Sequence, residues 1–170
     1  VHFNPYGGAA AQLAAALVNA DPDSSADDLL DLLREHGYKP VGTLDADQAR
    51  QLTDWAARLS PVFDGTPDQV ALVNDLLAEA AAKPYISTHD GRTPHLHFAP
   101  EHAPTPHRVR AFTAAGLAHT VCEDPGRLGR CSRPGCHTVY VDTSRNGRRR
   151  FCTTRCANRV HVADHRTRTA

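Results

Sequence analysis

The sequence predicts an α+β fold that is mainly helical, and three observations predict it. Apolar residues recur at helical spacing through the first half, a pair of short strand-like runs follows, and cysteines and arginines crowd the end. At 170 residues the chain is long enough for one globular domain and a small appended module. Apolar residues make up 41% of it, many of them alanine, which supports a modest helical core and argues against a disordered chain. No apolar run approaches the roughly twenty residues of a membrane span. Val1-His2-Phe3-Asn4-Pro5 has no basic stretch ahead of an apolar segment, so no secretory signal is read and a cytoplasmic protein is expected.

Residues 8–20 form an alanine-rich helix with Leu13, Leu17 and Val18 as its apolar stripe. Ser24 or Ser25 caps a second helix, which carries Leu29, Leu30, Leu32 and Leu33 and stops at Gly37. Asp45 and Gln48 stand at capping-box spacing, and Leu52, Trp55, Ala56 and Leu59 follow until Pro61 ends the segment. Thr66-Pro67-Asp68-Gln69 reads as cap and proline start of a fourth helix, with Val70, Val73, Leu76 and Leu77 as its stripe. Tyr85-Ile86-Ser87 and Leu96-His97-Phe98 flank Asp90-Gly91 and read as a β-hairpin. A proline-rich linker over residues 100–106 leads to a helix over residues 107–121, and Pro125-Gly126 breaks the pattern.

A net charge of zero hides a division. Residues 1–124 carry eight basic against seventeen acidic side chains, a net of −9, whereas residues 125–170 carry eleven arginines against Asp142 and Asp164, a net of +9. An acidic body joined to a basic end marks two modules, 1–124 and 125–170, and the basic one suits a polyanion. Mutual attraction of the halves is the other reading of the same division.

Cys131, Cys136, Cys152 and Cys156 give the spacing C-x4-C-x15-C-x3-C. Each short pair bends the backbone around a metal, and the segment between folds back to bring the pairs together, as a tetrahedral zinc site demands. Val139-Tyr140-Val141 has strand character, Asn146-Gly147 is a hairpin turn, and Arg149-Arg150-Phe151 returns to the second pair. Cys156 then opens a helix over residues 154–165, so the order is knuckle, hairpin, knuckle, helix, a treble-clef-like zinc finger with four cysteine ligands. One zinc ion is expected, structural because four thiolates leave no open coordination position. Disulfides would need an oxidising compartment, and a redox pair would usually be C-x2-C beside a βαβ unit. Cys122 lies outside the spacing and is expected to be a buried or partly buried free thiol. His161 and His165 stand four apart on the final helix and fit surface or phosphate-contacting roles better than ligation.

Arg155, Arg159 and Arg166 fall on one face of that helix, within about 40° of one another. Arg145, Arg148, Arg149 and Arg150 surround the turn before it, and Asn158 is placed to read an adenine edge or to brace the knuckle. A loop and helix of this kind can grip phosphates or enter a groove, and arginine's planar fork suits both phosphate and guanine. DNA is therefore the expected partner. The rival is an adaptor whose basic face docks an acidic protein, and some arginines have a third task, offsetting the negative charge of a four-thiolate centre.

Val141-Asp142-Thr143-Ser144-Arg145-Asn146-Gly147, Arg149-Arg150-Phe151-Cys152 and Cys156-Ala157-Asn158-Arg159 resemble the CGNR-type zinc finger. Alanine stands at 157 where that family has glycine, and the second cysteine pair has three intervening residues where four are common. In that family the finger follows a helical domain called ABATE, to which Leu17-Val18-Asn19 and the helical layout are similar. The resemblance implies a stress-related bacterial transcription regulator whose ligands are Cys131, Cys136, Cys152 and Cys156, with Asn158 and Arg159 as the motif's polar pair. The helical domain would then sense a small-molecule effector or mediate homodimerisation.

His89, His95, His97, His102 and His107 cluster mid-chain, and on a strand His95 and His97 share a face with His89 near the turn opposite. No carboxylate stands at a diagnostic spacing beside them, so exposed hairpin histidines are expected. No nucleophile elbow, phosphate loop, H-E-x-x-H or carboxylate pair is present, and the chain does not read as an enzyme.

Overall fold

The computed structural model describes residues 5–80, 83–88 and 93–169, and within these the chain forms six α-helices and two two-stranded antiparallel hairpins. Local capping chemistry sets several boundaries. Helix α1 spans Pro5–Asn19 and α2 Ala26–Glu35. Ser25 caps α2 reciprocally with Asp28, its hydroxyl accepting from the Asp28 N–H at 3.2 Å while the Asp28 carboxylate accepts from the Ser25 N–H at 3.0 Å. The same box, Asp45 with Gln48, opens α3 over Ala46–Leu59. Pro61 then directs the chain into a 3-10 turn, Ser60–Asp64, closed by Gly65 in the left-handed region at φ 64°.

Helix α4, Gln69–Glu79, begins later than the Thr66-Pro67 signal implies. The Gln69 N–H bonds back to the Thr66 carbonyl, so Thr66 and Pro67 close a turn, and the buried Gln69 side chain donates to the Val62 carbonyl at 2.8 Å. That start leaves Val70 facing solvent, 59% exposed, while Val73 and Leu76 reach the core. Strands β1 (Tyr85–Ser87) and β2 (His95–His97) pair Tyr85↔His97, Ile86↔Leu96 and Ser87↔His95, one residue earlier on the second strand than the sequence suggests. The expected turn, Asp90-Gly91, and His89 beside it lie outside the described residues. Helix α5, Thr105–Glu123, starts inside the expected linker because the Thr105 hydroxyl clasps both backbone groups of Val41, donating at 3.0 Å and accepting at 2.9 Å.

The core forms where α1 and α5 cross. Alanines line both helices there, and a Cβ added to Gly116 would sit 2.3 Å from the Ala10 Cβ, so only glycine permits this approach. Leu13, Leu17, Val109 and Leu117 fill the space beside the crossing. Trp55 of α3 packs in and donates its indole N–H to Thr113 at 2.9 Å, with the Arg110 guanidinium over its ring.

The basic segment contributes β3 (Leu128–Arg130), β4 (Val139–Val141) and α6 (Thr154–Thr169). Leu128, Val139 and Val141 belong to the same apolar core as the helices. Asn19, at the end of α1, uses its side-chain amide as a strand would use backbone. It donates to the Val139 carbonyl at 2.9 Å and accepts from the Val139 N–H at 2.8 Å. Arg130 adds an ion pair to Asp64 at 2.6 Å and hydrogen bonds to Ser60. No described helix is long and apolar enough to cross a membrane.

Two outcomes follow from this packing. Gly116→Ala should force α1 and α5 apart and cost about 1–3 kcal/mol in urea unfolding, the usual range for overpacking. Asn19→Ala leaves both backbone groups of Val139 unmatched at a half-buried seam. It should lower stability by about 1–3 kcal/mol, read by the same unfolding curves.

Candidate metal centre

Short-range constraints around the first cysteine pair build one side of the site. The Cys131 N–H bonds the Thr138 carbonyl at 2.9 Å and the Cys136 N–H bonds the Arg133 carbonyl at 3.0 Å, so the chain loops tightly between the two thiols. Gly135 makes that loop possible, since its φ of 73° is a conformation side chains disfavour. Strand β4 then pairs with β3, which precedes the first pair: Leu128↔Val141, Gly129↔Tyr140, Arg130↔Val139. The sequence predicts Val139-Tyr140-Val141 against the returning segment 149–151, and the structure corrects this. Tyr140 packs across Gly129, where a Cβ would lie 2.7 Å from its hydroxyl oxygen.

The returning segment meets the first loop instead. Arg150 C=O accepts from the Ser132 N–H at 2.8 Å, and Tyr140 donates to Arg149 C=O at 2.6 Å. Asp142 shapes the turn between, accepting from the N–H groups of Ser144 at 2.9 Å and Arg149 at 2.8 Å. Burial raises the Asp142 carboxyl, but these hydrogen bonds and the nearby Arg127 outweigh it and hold the group below its ordinary range. Gly147, in the left-handed region, completes the turn. The second pair closes the site, with Cys152 just before α6 and Cys156 in its first turn, where the Thr153 hydroxyl accepts from the Cys156 N–H.

All four sulfurs lie within 4.8 Å of one another. Cys136 and Cys152 are 3.8 Å apart and Cys152 and Cys156 3.5 Å. A tetrahedral zinc ion with bonds of about 2.3 Å requires sulfurs roughly 3.8 Å apart, so the donor set fits zinc, and four thiolates fill its coordination. The four cysteines can thus hold one zinc ion, which would fasten the two loops and the start of α6 together. His161 is not among these donors; its ring meets the edge of Phe151.

Thiol chemistry around the site favours metal uptake unevenly. Hydrogen bonds from the side chain and backbone of Thr138 draw the Cys136 thiol down to about 6. Thr153 and then Arg133 lower Cys156, whereas burial pushes Cys152 up to about 12. Arg133 Nε lies 3.3 Å from Cys156 Sγ, a cation set against the negative charge that four thiolates give a zinc centre.

The nominated arginines divide. Arg149 folds onto the site, stacking over Tyr140 at 4.6 Å and donating to the carbonyls of Phe151 and Cys152. Arg150 stacks on Phe151 at 5.7 Å. Arg145 and Arg148 are exposed on the turn. Arg155, Asn158, Arg159 and Arg166 line one shallow groove on α6 together with Val162, which is 51% exposed. Ala157 sits within α6, so alanine is accommodated where glycine was expected. Cys122 is exposed, contrary to expectation, because the last turn of α5 leaves the core.

Asn19, Arg133, Tyr140 and Asp142 were not nominated from sequence. Of these only Asp142 carried a local signal, an Asx turn toward Ser144.

The model of the CGNR zinc finger matches residues 127–169. The model of ABATE, described as "Putative stress-induced transcription regulator", matches residues 8–124. No curated relative matches the chain.

Because Cys152 must give up a proton on ligation, zinc affinity should rise as pH rises, at least tenfold per unit between roughly pH 6 and 8. Competition with a chelating dye reads this directly. A flat profile would mean that the metal sits elsewhere.

Proposed function

Since the chain belongs to the ABATE family and ends in a CGNR zinc finger, we propose that it is a transcription regulator that binds DNA through α6 and the arginine turn before it. The observation that carries this reading is the exposed face of α6. Arg155, Asn158, Arg159 and Arg166 share one groove there, while Cys156, which does not line that groove, joins the metal-binding thiols. A helix held at its first turn by a metal is stiff, and a stiff helix presenting arginines can lie in a groove or along phosphates. The first cysteine loop closes the β3–β4 hairpin, and the turn and α6 that follow carry the second pair, an order that supports a treble-clef arrangement. Arg145 and Arg148 on the turn extend the same basic surface, with Arg150 beside it.

On this reading the protein is a cytoplasmic binding protein rather than an enzyme, and the helical part receives the signal, through an effector or through homodimerisation. Val162 favours a second reading, an adaptor docking an acidic protein, because an apolar side chain amid arginines suits a protein surface. A salt series separates them. Zinc-loaded protein on labelled duplex DNA should lose affinity steeply with salt, and Arg155/Arg159/Arg166→Ala should flatten the log–log slope by about 3, near 0.9 for each lost phosphate contact. Absence of binding at low salt would sink the DNA reading and leave the adaptor.

A further inference from the structure

A cavity of about 450 Å³ lies between the β1–β2 hairpin and the α1–α5 crossing. Ala10 of α1, Phe112, Gly116 and His119 of α5, and Ile86 and Leu96 of the hairpin are among its walls. We propose that this cavity binds a small, uncharged and largely apolar molecule. Its regulatory meaning rests on the transcription-regulator reading; the ligand site itself does not.

Size, charge and exposure point the same way. The volume falls within the roughly 300–1,000 Å³ of small-molecule sites. Among the described residues that line it, none is Asp, Glu, Lys or Arg. An ionic ligand would therefore shed its hydration for no compensating partner. Ile86 and Leu96 face each other across the hairpin yet are 70% and 50% exposed, so two apolar side chains of the wall stand in water until something covers them. Polar recognition is confined to imidazoles. His95 is already engaged, with Nδ1 2.9 Å from the Thr93 carbonyl and Nε2 3.0 Å from His97. His119, exposed and edge-on to Phe98, is placed to hydrogen-bond one polar group of the ligand.

The position of the cavity supplies an output. Its wall includes the Ala10–Gly116 contact, where a Cβ on residue 116 would lie 2.3 Å from the Ala10 Cβ. Beyond the cavity, α1 ends in Asn19, which grips β4, and α5 runs through one 3-10 turn, Pro125–Arg127, into β3. A molecule wedged at the crossing moves the two helices whose ends hold the β3–β4 hairpin and, through it, the metal centre.

The test uses full-length zinc-loaded protein and Nile red, a neutral apolar dye, without DNA. Saturable binding of one dye per chain is expected, with amide shifts in 15N–1H spectra clustered at Ala10, Leu96, Phe112 and Gly116. Leu96→Asp and Ile86→Asp should each weaken binding at least tenfold with the helical circular dichroism unchanged, while Val162→Asp should leave it as it was. Absence of saturable binding overturns the proposal, as do shifts centred on α6. A dimer that Leu96→Asp splits, with no dye bound, assigns the groove to a second copy of the chain and overturns it too. Because no DNA is present, failure here and failure of DNA binding are separate results.

Discussion

Convergence of four thiols within 4.8 Å is the constraint on which the C-terminal quarter depends. This segment has few apolar residues to close a core of its own. Leu128, Val139 and Val141 are buried, but in a core that belongs to the helices. Residues 142–153 follow no regular strand or helix, and their path is set by the Asp142 carboxylate, the Tyr140 hydroxyl and the two cysteine pairs. A unit this small ordinarily needs a metal or a partner surface, and here the geometry provides for both. The metal fixes where α6 begins; the helical body fixes where the hairpin sits.

The two supports are connected through particular bonds. Asn19 satisfies both backbone groups of Val139, the residue of β4 that pairs with Arg130, and Arg130 in turn reaches Asp64 and Ser60 of the helical body. Arg130 also donates to the His137 carbonyl, so one guanidinium spans the body, the hairpin and the loop that carries Cys136. Asn19 and Arg130 thus tie the hairpin directly to α1 and to the Ser60–Asp64 turn. The chain is acidic and basic by halves, yet the halves meet mainly through apolar packing and an amide clamp.

Legibility in the sequence followed the range of the interactions. Cysteine spacing was readable because ligation imposes short separations, and the Asp45 cap was readable because a capping box spans three residues, while the cap of α2 was readable only as Ser24 or Ser25. The α+β architecture was readable from periodicity for the same reason. Asn19 was not, because its partner Val139 is 120 residues away and an asparagine at a helix end has many local uses. Pairing of β4 with β3 instead of residues 149–151 turned on Tyr140 packing over Gly129, a contact between side chain and missing side chain that no local pattern encodes. Gly116, a mid-helix residue of low helical propensity, became meaningful only when Ala10 stood against it.

Charge counting needs the same correction. Eleven arginines in the basic segment suggest a large positive surface. Several are engaged in contacts within the fold. Arg127 pairs Asp124, Arg130 pairs Asp64, Arg133 faces a ligand thiol, and Arg149 braces the second knuckle from above Tyr140. What remains exposed is not spread evenly. Arg145, Arg148 and Arg150 lie on the turn and the segment returning from it, Arg155, Arg159 and Arg166 share one groove of α6, and Arg168 is exposed outside that groove. A polyanion approaching α6 would meet a ridge of three arginines, with further arginines on the turn beside it. Because the ridge starts at Cys156, its direction is set by the same bonds that would hold the metal. Loss of the metal would scatter the arginines without removing one of them, which is why electrostatics and ligation cannot be argued separately in this fold.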